Sequence, residues 1–306
     1  MKINKKTLNQ GKRFNSENIG FYLYLVPFMS LFFLFTIIPV LASVTLSFFD
    51  WDMVSTPVFT FGNNYLRMLT GDSIFWTVVK NTLQFAVVTG PIGFLLSFTL
   101  AWLINEFSPR IRSILAFLFY TPALVGNAYF IWQVAFSGDS FGYVNNILIS
   151  FGLISEPIQW LKDAAYNKTI IIIVQLWMSM GVSFLSNIAG LQNVNVSLYE
   201  AGAIDGIKNR WHELWYITLP SMKSILLFGA VMQIQAVFSI GSIVSQLSGY
   251  PSVNNSVDTI VNLIADVGTM RYEMGYAAAM SVFLFLLMAA FRLIVGKLLS
   301  LLGRQD

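Results

Sequence analysis

Residues 197–220 read SLYEAGAIDGIKNRWHELWYITLP, a polar stretch set between two long apolar runs. It holds Glu200, Asp205, Lys208, Arg210, His212 and Glu213, and Pro220 closes it. Ser197 followed three residues later by Glu200 is a capping-box pattern: the hydroxyl accepts from a free N–H at the helix start, and the carboxylate reaches back to the cap. Gly206 fits the end of that helix, since it enters the left-handed conformation without a Cβ penalty. The predicted helix has about eight residues, fewer than the ~12–15 at which an isolated helix is marginal in water, so it needs a surface to pack on. After an Asn209-Arg210 corner, Trp211 to Ile217 predicts a second short helix, and Pro220 suits the first turn of the next element, where its missing N–H costs little. Ala201, Ile204, Ile207, Trp211 and Trp215 give the pair apolar side chains, as expected of a plug for a groove.

The flanking chain is built for lipid. Hydrophobic residues make up 56% and charged residues 11% of the 306, against about 25% charged in soluble domains, and the mean hydropathy is +0.67. Uncharged apolar runs extend from Phe21 to Phe49, Asn81 to Asn105, Ser113 to Phe136, Thr169 to Leu191, Ser224 to Val244 and Gly275 to Phe291. Each is near or above the ~20 residues that cross a ~30 Å hydrocarbon layer, and none carries the charged face of a helix in a soluble protein. The expected fold is therefore all-α, with six transmembrane helices. The first run is far longer than the ~7–15 residues of a signal-peptide core and lacks a small-x-small cleavage site, so it reads as a retained anchor. Pro27, Pro39, Pro91 and Pro122 lie within runs, where neighbouring helices can satisfy the freed carbonyls.

An even number of crossings puts both termini on one side, where 13 of the 18 Lys and Arg fall; Arg67, Lys80, Lys162, Lys168 and Arg271 lie on the other. By the positive-inside rule the termini, and with them residues 197–220, are expected in the cytoplasm. On the outer side Val144, Ile147, Leu148 and Phe151, and again Val257, Ile260, Val261 and Ile264, recur at helical spacing, which predicts two short helices lying on the outer surface.

Several chemistries are excluded. The chain has no Cys and one His, which removes disulfides, thiol catalysis and a metal cluster. It lacks the G-x-x-x-x-G-K-[ST] phosphate loop, so ATP is not hydrolysed by this chain, and the His212-Glu213 pair has no nucleophile beside it to activate. No catalytic, cofactor-binding or metal residue is expected, and no nucleic-acid partner. All six runs are free of Asp, Glu, Lys and Arg, which weighs against proton coupling at mid-membrane. Sodium sites built from carbonyls keep an ion-coupled secondary transporter as the alternative. A membrane-bound transferase would need a surface carboxylate or His with a defined partner.

Glu200-Ala201-Gly202, then Asp205-Gly206, then Ile217-Thr218-Leu219-Pro220 resemble the EAA motif of the permease subunits of binding-protein-dependent ABC importers, in its extended form from carbohydrate importers of the maltose type. Gly202 stands where Ala is usual, Ile207 where a small residue is common, and Trp211 where Phe is frequent. The resemblance continues in FYLYLVPFMSLFFLFTIIPVLASVTLSFFDW (21–51), which looks like the family's first span, and in NNYLRML (63–69) with FWTVVKNTLQF (75–85), which looks like the entry to its second. It implies a type I ABC importer permease, with residues 21–300 as the six-span domain between cytoplasmic segments 1–20 and 301–306. The loop 197–220 would dock in a cleft of the ATPase through Glu200, Ala201, Gly202, Asp205, Gly206, Leu219 and Pro220. The expected partners are a second homologous permease, two cytoplasmic ATPases that bind ATP and Mg, and an extracellular or periplasmic solute-binding protein. The setting is a bacterial or archaeal plasma membrane and the substrate a sugar or oligosaccharide.

Neutral polyols are held by hydrogen bonds and aromatic faces, and the runs flanking the motif carry Gln175, Trp177, Ser179 and Ser183, then Gln233, Gln235 and Ser239. Each alone suits a helix–helix hydrogen bond equally well. The resemblance places the family's transmembrane site in this region, with Trp177, Ser179 and Ser239 nearest by counting from the motif; Gln233 and Gln235 join them on chemistry. The expected pathway residues are Trp177, Ser179, Gln233, Gln235 and Ser239.

Overall fold

The computed structural model describes residues 16–301, and the side chains of 23–299. Residues 1–15 of the expected N-terminal segment and 302–306 of the tail lie outside the described residues. Five helices are long and apolar enough to cross a membrane: α1 (Leu23–Leu46), α2 (Ser73–Asn105), α6 (Asn167–Asn193), α9 (Lys223–Ser248) and α11 (Met274–Leu299). A two-stranded hairpin, Phe49–Asp50 with Val58–Phe59, follows α1 and pairs Phe49 with Phe59.

The run expected as one helix from Ser113 to Phe136 is divided. It forms α3 (Pro109–Leu124) and α4 (Phe130–Ala135), separated at Val125, which is extended. Pro122 withdraws a backbone N–H and disfavours helix at the residue before it, and Gly126-Asn127 supply the turn. At 1.5 Å per residue α3 is about 24 Å long, so it does not fill the hydrocarbon layer alone.

α2, α6 and α9 form the centre of the bundle. At the end carrying residues 197–220, here the motif end, Phe98, Ala101 and Ile104 of α2 pack with Phe184, Ile188 and Leu191 of α6 and Leu226 of α9. Small residues let these helices approach, as they must where lipid removes the hydrophobic drive between helices: a Cβ on Gly190 would come within 2.8 Å of Ile225 and Met222. Pro91 lies inside the 33-residue α2. α1 differs, since none of its apolar window is buried; its second half runs beside α11.

The opposite end is tied by polar contacts. Asp72 caps α2 by accepting from the N–H groups of Ile74 and Phe75, and Tyr276 at the start of α11 donates to the same carboxylate at 2.7 Å. Arg67 pairs with Glu273 and lies over the Tyr276 ring, 4.1 Å from its centroid. Of the two helices expected on the surface, α5 (Tyr143–Ser150) is there, with Ile147 53% exposed. Asn145 anchors it by donating to the carbonyls of Ser137, Asp139 and Ile158. The other, α10 (Ile260–Met270), is not a surface helix. Ile260, Leu263 and Val267 are buried against Phe75 and Val78 of α2 and Tyr276 and Met280 of α11. Polar contacts draw it in: the N–H of Ile260 donates to Thr82 Oγ1, and Asn262 donates to Gly241 O and Ser245 Oγ.

Candidate functional site

Two features come from the residues singled out by sequence, a folded segment at the motif end and a cleft inside the bundle. The segment opens with α7 (Val196–Ile204), capped by Asn195, whose side chain accepts from Ser197 N–H at 3.0 Å. The capping box expected from Ser197 and Glu200 does not form. Asn is as strong a cap as Ser, and two positions upstream it takes the role, leaving Ser197 and Glu200 on the exposed face. The C-terminus follows expectation: Gly206 has φ +94°. Ile207 N–H donates to Gly202 O and Gly206 N–H to Ala203 O, the paired bonds of a Schellman end.

Asn209 then caps α8 (Arg210–Glu213) by accepting from His212 N–H at 2.8 Å, and the chain continues as a wide helical turn over Leu214–Thr218. Leu214, Ile217, Thr218 and Met222 are buried, and Tyr199 and Thr218 share a hydroxyl hydrogen bond of 2.9 Å that joins α7 to this turn. The other face is left open. Ile204 is 86% and Trp211 62% exposed; Ala201 and Trp215 are exposed too, and Ile207 is half-buried. Arg210 ties the segment to α2, pairing with Glu106 at 2.7 Å and with Glu213 at 2.8 Å; the Glu213 hydrogen bond, ahead of the Glu106 charge, pushes its pKa up. Trp211 packs against Trp102 of α2 with ring centroids 5.3 Å apart.

Both central helices next to the motif are broken in mid-course. α6 interrupts at Ser179–Gly181, where Gly181 has φ −100° and ψ −131°, and α9 interrupts at Ser239, between Phe238 and Gly241. A cleft of ≈ 370 Å³ opens there, lined by Ser179, Gln233, Gln235 and Ser239, with Ala123 and Gly126 of the divided third run facing them. Gln233 is 2% exposed, and its Nε2 has no hydrogen-bond partner among the described residues. Gly93 of α2 leaves space for that amide, since a Cβ there would sit 2.2 Å from it. Ser179 donates to Leu176 O at 2.7 Å, so its oxygen keeps a free acceptor lone pair.

Trp177 is not among the lining residues. Its ring meets Trp132 edge-on at 5.6 Å. Gln175 donates to Ala236 O across to α9 and so joins helices to each other; Ser183 lines the cleft and lies 3.4 Å from Ser97 Oγ of α2. Gly93, Ala123 and Gly126 went unmarked by sequence reasoning, because small apolar residues carry no chemistry of their own; the Gly126-Asn127 pair was the available signal of a break.

Residues 93–302 match the family described as the binding-protein-dependent transport system inner membrane component. The chain belongs to this family. The permease is 31% identical over 216 residues to the lactose transport system permease protein LacF of Rhizobium radiobacter, covering 70% of this chain and 71% of that one. It is 28% identical to the probable ABC transporter permease protein YesP of Bacillus subtilis, covering 95% and 93%. Its fold matches a chain of the crystal structure of a bacterial alginate ABC transporter in complex with an alginate pentasaccharide-bound periplasmic protein, with a TM-score of 0.76, 21% identity and coverage of 94% and 96%. The permease is thus a membrane component of an ABC importer and not its ATPase. No support remains for an ion-coupled secondary transporter.

Proposed function

We propose that the permease forms one half of the membrane pathway of an ATP-driven importer for sugars or oligosaccharides. The observation that carries this reading is the pairing of an open-faced motif segment, tied to α2 by Arg210 and Trp211, with a polar cleft at the breaks of α6 and α9. The exposed Ala201, Ile204 and Trp215 face fits the groove of a cytoplasmic ATPase. Glu200 and Asp205 lie on the rim of that contact, Gly202 and Gly206 shape the helix, and Leu219 and Pro220 lead into α9. Two such ATPases bind ATP and Mg, and a second permease supplies the other wall of the pathway. A solute-binding protein outside the membrane delivers the saccharide; the alginate transporter of similar fold is in complex with a pentasaccharide-bound periplasmic protein. The motif end and both termini are cytoplasmic in a bacterial or archaeal plasma membrane, a reading that the Lys and Arg distribution supports.

In the cleft, Gln233 offers an unused amide donor and Ser179 an acceptor, with Gln235 and Ser239 at the breaks. These are hydrogen-bonding groups suited to hydroxyls of a neutral ring, and the lactose in the name of the 31%-identical relative supports that class. The test is uptake into proteoliposomes holding the whole importer. Gln233→Ala and Ser239→Ala should raise the half-saturating saccharide concentration a few-fold to about tenfold, the worth of ~0.5–1.5 kcal/mol per hydrogen bond, with basal ATP hydrolysis unchanged. Parental uptake by both variants at subsaturating saccharide would move the site to the partner permease.

A further inference from the structure

Of the five cations at the end opposite the motif, three have evident tasks. Arg67 pairs with Glu273, Arg271 with Asp266, and Lys162 donates to Ser248 O at 2.9 Å. Lys80 and Lys168 differ, for neither forms an ion pair among the described residues, and both line one cleft of ≈ 460 Å³ between α2, the start of α6 and residues 254–256. Lys168 is held in place: its ammonium donates to Gln84 Oε1 at 2.7 Å and Asn81 Oδ1 at 3.1 Å. An ammonium has three donors, so one remains. Asn81 is fixed in turn, donating to Asn255 O and Asp258 O. Asn254 and Asn255 both take left-handed conformations, with φ 54° and 51°, which turns this loop across the cleft. Two cations thus face one concave, amide-lined space with no anion to balance them.

The two clefts share α6. Lys168 and Ser179 are 11 residues apart on it, which at 100° per residue returns to the same face, about 16 Å further along the helix. Ile172 and the buried Gln175 lie between them on that face.

We propose that the Lys80–Lys168 cleft is a carboxylate subsite at the outer mouth of the pathway, which makes acidic saccharides of the uronate class substrates of this permease. It rests on the saccharide reading above. A uronate carboxylate between the two ammonium groups takes the free donor of Lys168 and the charge of Lys80, while the ring hydroxyls meet Gln84 and Asn255. Carboxylate on the docking face of the solute-binding protein is the competing source of the same chemistry.

The experiment uses the complete importer in proteoliposomes with its own solute-binding protein. Uptake of trigalacturonate and trimannuronate is compared with uptake of galactotriose and maltotriose. Expected are uptake of a uronate trisaccharide that weakens as NaCl is raised, a loss of about tenfold or more at subsaturating concentration in the Lys80→Met, Lys168→Met double variant, and substantial recovery with Lys80→Arg, Lys168→Arg. Size-exclusion chromatography of each purified complex establishes that assembly is intact. Uptake of neutral trisaccharides alone, or equal loss for neutral and acidic ones, overturns the subsite and leaves the saccharide reading standing. Uptake of none of the four overturns both. A second arm measures docking of the unloaded binding protein: if the Met variants weaken docking but not uronate uptake at saturating binding protein, the carboxylate belongs to that protein and the subsite is overturned.

Discussion

At Gly202 an added methyl group would lie 2.7 Å from Ile217 Cδ1 and 3.1 Å from Ile207 Cδ1. Two of the three departures of this chain from the usual motif, Gly for Ala at 202 and Ile for a small residue at 207, therefore compensate each other in space. Gly202→Ala should destabilise the assembled complex by about 1–3 kcal/mol through overpacking, and Ile217→Val, which removes the nearer methyl, should recover much of that loss. A thermal-unfolding double-mutant cycle measures the coupling, and simple additivity would refute it. Gly206 is constrained differently: nothing lies near it, but its φ of +94° disfavours any side chain, so Gly206→Ala should weaken the helix end by about 1 kcal/mol. Burial pushes the Asp258 carboxyl above its ordinary value of 3.8, against hydrogen bonds from Ser252 that lower it. A raised folded-state pKa means that stability is fullest below the unfolded value and is lost as pH rises through the folded one. Between wild type and Asp258→Asn, the difference in unfolding midpoint should change from pH 3.8 upward and level off above the folded pKa; a pH-independent difference would refute the shift.

Among the elements, the motif segment and α2 are joined by the Arg210–Glu106 pair and the Trp102–Trp211 contact. Both charged partners are largely exposed, so the pair adds little stability, of order 0–1 kcal/mol; what it does is fix where the segment meets α2. Glu106→Arg should leave assembly intact yet lower hydrolysis stimulated by the binding protein, and the Glu106→Arg, Arg210→Glu double variant should restore part of it. Unchanged stimulation in Glu106→Arg would show that motion passes elsewhere. At this scale it is also clear what the chain announces in advance. Gly206 and Asn209-Arg210 marked the segment's end and corner because each is a local backbone requirement. The start of α7 was misread, since Ser197-Glu200 and Asn195 are both competent caps and only packing selects one. Helical spacing found α10 but not its depth, for the spacing of Ile260 and Ile264 is the same on a surface and in a core; the contacts of Thr82 and Asn262 that draw it in come from distant sequence. Likewise the uncharged run Ser113–Phe136 read as one helix, because hydropathy is blind to the Pro122 and Gly126 break that opens the cleft. The cleft's polar residues were visible as types; that Trp177 turns away from it was not, since one helical position separates it from Met178.

For the whole molecule, the proposed function puts the ATPase contact at the motif end and saccharide entry at the other. Proteoliposomes loaded with ATP should accumulate substrate without any ion gradient and ignore an uncoupler; uptake that needs a proton or sodium gradient and not ATP would refute the ABC mechanism for this chain. α2 connects the two ends, running from the cap at Asp72 beside the Lys80 cleft to Glu106 beside the motif. Its 33 residues are about 50 Å long. Pro91 removes one helical hydrogen bond, about 21 Å from the Asn105 end and about 27 Å from the Ser73 end. A helix with one bond missing in mid-course bends there at lower cost than elsewhere, so the two halves of α2, one ending at the motif and the other at the Asp72 cap, need not keep a common axis.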